Sequence, residues 1–400
     1  MPFADQRPDP AAVARFRALC GERRWSARLA DLLRAASPSS LAGRAAQQRH
    51  ALELALDRLA TPEAASRAGR AERLVAGFAA EAVALDKALP ADGRRRLRAR
   101  IEAALEGEAT LVPLFHLLRT AALHRSRGFD VAFTGLAEET PWDLTLAREG
   151  VTAELACQPV SAEEGRAVHR GDWCALVDRI NPELQTWLAA HPGRYLLKMT
   201  LPEGMASDSQ VAELHRRITG LLAAQKRQDS SADAVLKLDP LVLAGAQAAT
   251  RLPAQLRAQF GEEAHLAVTA APDSSSVFVM AARAGRENSI AGAATRRMEE
   301  AASTRLSGER PGILAMFLDD LDRAEWRGLR ERMELEGTAR RWLTGPAARR
   351  VVAVTCASRM ELLGVAPPDG APEGELRFRN PSHPAAKSQA LAPAIVSSHG

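Results

Sequence analysis

The chain has 400 residues, of which 46% are hydrophobic but only 4% aromatic, and carries a net charge of +4. That length exceeds what one hydrophobic core usually organises, so two domains, or one domain with an extension, are expected. No run approaches the roughly 20 apolar residues of a membrane span, and MPFADQRPDP at the start has neither a charged n-region nor an apolar h-region, so the sequence reads as a soluble, cytoplasmic α/β protein with no membrane role.

From Pro10 to about Glu106 the apolar spacing is helical, with Val13, Phe16, Leu19 and Cys20 on one stripe and Trp25, Leu29, Leu32 and Leu33 on the next. Breaks at SPSS (37–40), Thr61-Pro62 and Leu89-Pro90 predict four helices over 1–106. Residues 1–100 hold 19 Lys and Arg against 11 Asp and Glu, +8 in all, which leaves −4 for the rest. That asymmetry points to an anionic partner at the N-terminal end, and the run RRRLRAR offers Arg94, Arg95 and Arg98 as phosphate contacts. Because consecutive residues fan around a helix, the same run also suits an ordinary solvated helix.

Residues 108–127 form a helix closed by Gly128. Then come three strand-like runs, DVAFTG, WDLTLAREG and VTAELACQPV, the last two joined in a hairpin at Glu149-Gly150. Asp172 caps a helix to Ile180, Asn181-Pro182 restarts one to Ala190, and RYLLKMTLP reads as a buried strand. The local order over 107–205 is therefore αβββαβ. Beyond it, Ser207 or Asp208 opens a helix to about Arg227. Strands follow at 234–238, 264–270, 276–282, 312–318 and 350–357, with helices over 291–306 and 324–343. Residues 206–381 thus form an α/β extension, and 382–400 read as a disordered tail.

The phrases LFHLLRTAALHRSRGFDVAF, PWDLTL and VTAELACQPVS resemble the core of the PD-(D/E)XK, or restriction-endonuclease-like, superfamily. The resemblance covers about a quarter of the chain. It implies a metal-binding Asp at the second strand, here Asp143, and a Glu-x-Lys on the third. With CQPVS laid on the family's CKxxS-like phrase, Ala156 falls at the Glu and Gln158 at the Lys. A shifted register instead uses Glu154, which shares a strand face with Ala156 and Gln158. The catalytic positions are then Asp143, Glu154 and Gln158, with Asp143 and Glu154 as the Mg²⁺ ligands if the chain is active. A phosphodiester needs such a cation to bear the charge that builds on its oxygens.

The family's base Lys is missing in either register, and His116 stands where a helix Glu belongs. Lys198 is a conceivable replacement for the Lys, and Arg166 and Arg170 for phosphate contacts. The expectation is a nuclease-like protein with altered catalytic positions that binds DNA, RNA or a protein partner without catalysis. The alternatives are an active Mg²⁺-dependent nuclease and an interaction protein with no nucleic-acid role. Cys157, His169 and Cys174 are too scattered for zinc, and no CxxC pair exists, so the four cysteines read as reduced. Asp319, Asp320 and Asp322 suit a helix N-cap better than a cation site.

Overall fold

The computed structural model describes residues 8–241, 254–258, 260–261, 263–271, 276–365 and 375–397. Elements are numbered in chain order across these residues. The chain divides into two compact units. The first comprises 1–34, 47–164 and 290–400, and the second 35–46 and 165–289. These limits differ from the expected 107–205 core and 206–381 extension, because the second unit is inserted into the first.

In the first unit, helices α1 (Pro10–Cys20), α2 (Glu22–Ala35), α4 (Ala51–Arg58), α5 (Pro62–Ser66), α6 (Arg70–Ala88) and α7 (Ala91–Ala104) precede α8 (Val112–Ser126). The stretch expected to hold four helices is thus cut more finely, and α3 (Leu41–Arg49) runs across the boundary at 46/47. These helices are not a separate domain. An edge-to-face aromatic series runs from Trp25 through Phe16, Phe78 and Phe115 to Phe317 of the sheet, with ring centroids 6.5, 5.3, 5.8 and 6.3 Å apart. Such pairs each contribute about 0.5–1.5 kcal/mol beyond burial.

After α8, closed at Gly128 with φ +82°, come β1 (Asp130–Ala132), the short α9 (Thr134–Ala137), β2 (Leu144–Arg148) and β3 (Val151–Ser161). The hairpin between β2 and β3 turns at Glu149 and Gly150, with φ +50° and +77°, the left-handed pair a two-residue turn requires. The chain re-enters this unit as α12 (Ile290–Thr304), β9 (Gly312–Asp319), α13 (Arg323–Glu331), α14 (Glu334–Leu343), β10 (Val351–Ser358), β11 (Leu376–Arg379) and α15 (Ala392–Ile395).

The sheet order is β1-β2-β3-β9-β10-β11, antiparallel through β1-β2-β3, parallel from β3 to β9 to β10, and antiparallel again at β11. The strand beside β3 is therefore Gly312–Asp319 and not Arg194–Leu201, as the local αβββαβ order had suggested. Alternation along β3 divides its neighbours. Ala153, Leu155 and Cys157 pack with α8 and the N-terminal helices, while Ala156 and Val160 pack with α12, α13 and α14. The expected single helix over 324–343 is broken at Met333, whose φ is +53°. Residues 382–397 depart from the disordered tail, since Leu391, Ala394 and Ile395 are fully buried in the same core as Phe115; 398–400 lie outside the described residues.

The second unit contains α10 (Arg170–Ala190), β4 (Arg194–Leu201), α11 (Asp208–Ala223), β5 (Gln228–Ser230), β6 (Val235–Pro240), β7 (His265–Ala270) and β8 (Val277–Ala284). Helix α10 continues through Pro182, where two helices were expected, whereas α11 opens at the expected place, with Ser207, of the two candidates 207 and 208, as its cap. The sheet order is β5-β6-β4-β8-β7. Helices α10 and α11 bury one face of it through Leu184, Leu188, Leu214 and Ile218 against Leu197, Met199, Leu236 and Met280.

Candidate functional site

Asp143 precedes β2 by one residue and is 4% exposed. Its N–H donates to the Leu155 carbonyl at 3.0 Å and its own carbonyl accepts from Gly135 at 3.1 Å, so the backbone is fixed on both sides. A Cβ on Gly135 would stand 2.6 Å from the Trp142 carbonyl oxygen, and this close approach is what seats the loop against α9. The carboxylate then extends the β2-β3 ladder. Oδ2 accepts from the Cys157 N–H at 2.8 Å and from Arg305 Nη2 at 2.8 Å, and Oδ1 from Arg100 Nη1 at 3.2 Å. Arg305 is anchored in turn by the Pro141 carbonyl, 2.6 Å from its Nε.

Glu154, paired across the hairpin with Thr145, is 1% exposed. Its Oε1 accepts from the Ser307 hydroxyl at 2.5 Å and Oε2 from the Ser307 N–H at 2.8 Å. The segment 305–307 thus serves both carboxylates, Arg305 holding Asp143 and Ser307 holding Glu154. On the same face as Glu154, Ala156 is fully buried, while Gln158 is half-buried and donates to the Pro159 carbonyl at 3.3 Å.

A Mg²⁺ ion needs carboxylate oxygens free to enter a near-octahedral shell with several waters. Every carboxylate oxygen of Asp143 and Glu154 is instead taken by an N–H, a hydroxyl or a guanidinium, and among the described residues no group of three His, Cys, Asp or Glu side chains is arranged to hold a metal. These residues do not fit the ion. What the arrangement holds is a carboxylate between two arginines, a net charge of +1, with the Arg100 side chain 44% and that of Arg305 30% exposed.

On α7 the Arg95 side chain pairs with Asp92 at 2.6 Å and that of Arg98 with both oxygens of Asp86 at 3.0 and 3.1 Å, whereas Arg94 is exposed and without a partner among the described residues. Arg166, expected as a surface phosphate contact, is 4% exposed in the second unit, and Arg170 there is half-buried at the start of α10. Lys198 belongs to the second unit's sheet and pairs with Asp239 at 3.1 Å. His116 is buried on α8, its Nε2 2.7 Å from the Ala315 carbonyl oxygen, and burial pushes its pKa down to about 4. Asp322 caps α13, while Asp319 and Asp320 are matched by Arg359, with Arg49 also on Asp320.

The residues missed from the sequence are Arg100, Arg305 and Ser307. Arg100 lay within a run already marked as basic, but nothing local to 305–307 signals its contacts with residues more than 150 positions earlier.

Neither the family models, nor the curated proteins, nor the solved structures compared with the chain match it.

Proposed function

We propose that the chain is a non-catalytic relative of the restriction-endonuclease-like fold that binds nucleic acid through its phosphates. The reading draws on the order of elements in the first unit: helix α8, the antiparallel β1-β2-β3, helix α12, and β9 parallel to β3. With the short α9 between β1 and β2 set aside, and residues 165–289 inserted ahead of the second helix, this order resembles the family's αβββαβ.

The observation that carries the absence of catalysis is the clamp on Asp143. Arg100 and Arg305 supply beside that carboxylate the positive charge a nuclease would take from metal. Gln158, which cannot act as a lysine does, occupies the base position in the family register. A phosphate has the partly exposed guanidiniums of Arg100 and Arg305 to contact, with Arg94 on α7 as a further cation. The test is to incubate the protein with labelled DNA and RNA in Mg²⁺, Mn²⁺ or EDTA at two salt concentrations. Retention that weakens steeply with salt, without cleavage, supports the reading. Metal-dependent cleavage lost in Asp143→Ala overturns it, and absence of retention redirects the search to protein partners.

A further inference from the structure

We propose that the face of the second unit's sheet turned away from α10 and α11 binds the backbone of a single-stranded nucleic acid, centred on Lys198 and Lys237. The inference rests on the nucleic-acid reading above but not on the Asp143 clamp.

Strand alternation fixes which side chains share this face. Leu197, Met199, Leu236 and Leu238 enter the core with the helices, so Lys198, Thr200, Val235 and Lys237 point the other way. The register sets Gln228, Lys237 and Lys198 directly opposite one another across β5, β6 and β4, and aligns Ser230, Val235, Thr200 and Arg283 in the next row. Among the described residues, helical residues 254–258, with Phe260, cover the part of the face over Leu196, Val279 and Ala281.

Two lysines directly opposite across a strand pair repel, and such pairs destabilise a sheet. Asp239 neutralises Lys198, with Nζ to Oδ2 at 3.1 Å, but Lys237 is exposed and has no partner among the described residues. Arg283 flanks the patch, its Nη1 giving one bond to the Phe260 carbonyl at 3.1 Å. The patch is therefore rich in donors: ammonium groups, a guanidinium, the Gln228 amide and the Thr200 and Ser230 hydroxyls.

A protein partner would want an apolar centre poor in lysine, and Val235, 38% exposed, is the large apolar side chain in these two rows. No aromatic side chain stands in the two rows to stack a base. Binding here then depends on phosphate contacts, is salt-sensitive and tolerates any base sequence. The two rows lie on adjacent strands of a sheet, and a duplex major groove admits an α-helix or a two-stranded ribbon, not a sheet face.

The test measures the affinity of the full chain for fluorescent 20-nucleotide oligo(dT) and oligo(rU), and for a duplex of equal length, by anisotropy over a salt series. Lys237→Glu is expected to weaken single-strand binding about tenfold and to make the slope of log K against log salt shallower by about 0.7. It is also expected to leave Tm unchanged or raised, because the new Glu faces Lys198. Lys87→Glu, which removes an exposed charge on α6, serves as the charge-matched control and stays within about twofold of wild type. Wild-type binding that Lys237→Glu leaves intact, or weakens no more than Lys87→Glu does, overturns this inference alone, as does a preference for duplex. Absence of binding by the wild-type chain overturns both this inference and the reading beneath it.

Discussion

Replacing Asp143 by Asn separates a structural clamp from a metal ligand. The substitution preserves size but removes the charge that Arg100 and Arg305 share, and it sets an amide nitrogen against a guanidinium. The buried Cys157 N–H can still reach the Asn oxygen, so that bond is weakened and not lost. A hydrogen bond to a charged group contributes about 1.5–3 kcal/mol against about 1 kcal/mol for a neutral one. The Arg305 pair, with its arginine 30% exposed, is worth about 1–2 kcal/mol, and the Arg100 pair, 44% exposed, less than about 1 kcal/mol. The sum is a loss of roughly 2–4 kcal/mol. It is read from urea denaturation with an unchanged m-value, and hydrogen exchange of peptides spanning 151–161 assigns the loss to the first unit. A metal ligand without structural duty shows little change, since removing it relieves repulsion between carboxylates. A loss below about 0.5 kcal/mol in Asp143→Asn refutes the clamp.

Three further outcomes follow from the same geometry. Glu154→Ala leaves the Ser307 N–H and hydroxyl without their acceptor in a buried site and is expected to cost about 2–4 kcal/mol, measured by the same denaturation. Burial holds His116 and His124 of the first unit at about 4, below the ordinary 6.5, so the unfolded chain takes up protons first. Stability is then full above pH 6.5 and falls as pH drops from 6.5 towards 4, by up to about 3 kcal/mol for each histidine, which a pH series of unfolding free energies checks. Addition of millimolar Mg²⁺ or of EDTA is expected to shift Tm by less than about 1 °C, because a bound ion would stabilise by mass action.

Local features were legible because their causes are local. Glu149-Gly150 reads as a hairpin turn, Ser207 or Asp208 as a helix opening and Gly128 as a helix stop; the turn and the stop stand where their chemistry places them, and Ser207 is the cap. Sheet membership was not legible, since RYLLKMTLP and GILAMFL are both buried runs of strand-forming residues, and only non-local pairing decides that the second lies beside β3. Pro182 carries the sequence mark of a break but lies inside a continuous α10, and Met333 offers no glycine to mark the left-handed turn between α13 and α14. The tail's Pro, Ser and Ala content concealed Leu391 and Ile395, which pack on the sheet. Asp143 and Glu154 were picked out from the sequence, but their partners at 100, 305 and 307 come from elements that only the fold brings together.

The most direct test of the central claim is a single cleavage and retention experiment on the purified chain with labelled single-stranded and double-stranded DNA and RNA. The account predicts bound, intact oligonucleotide in Mg²⁺, Mn²⁺ and EDTA alike, with retention falling as salt rises. Cleavage that requires metal and disappears in both Asp143→Ala and Glu154→Ala contradicts it.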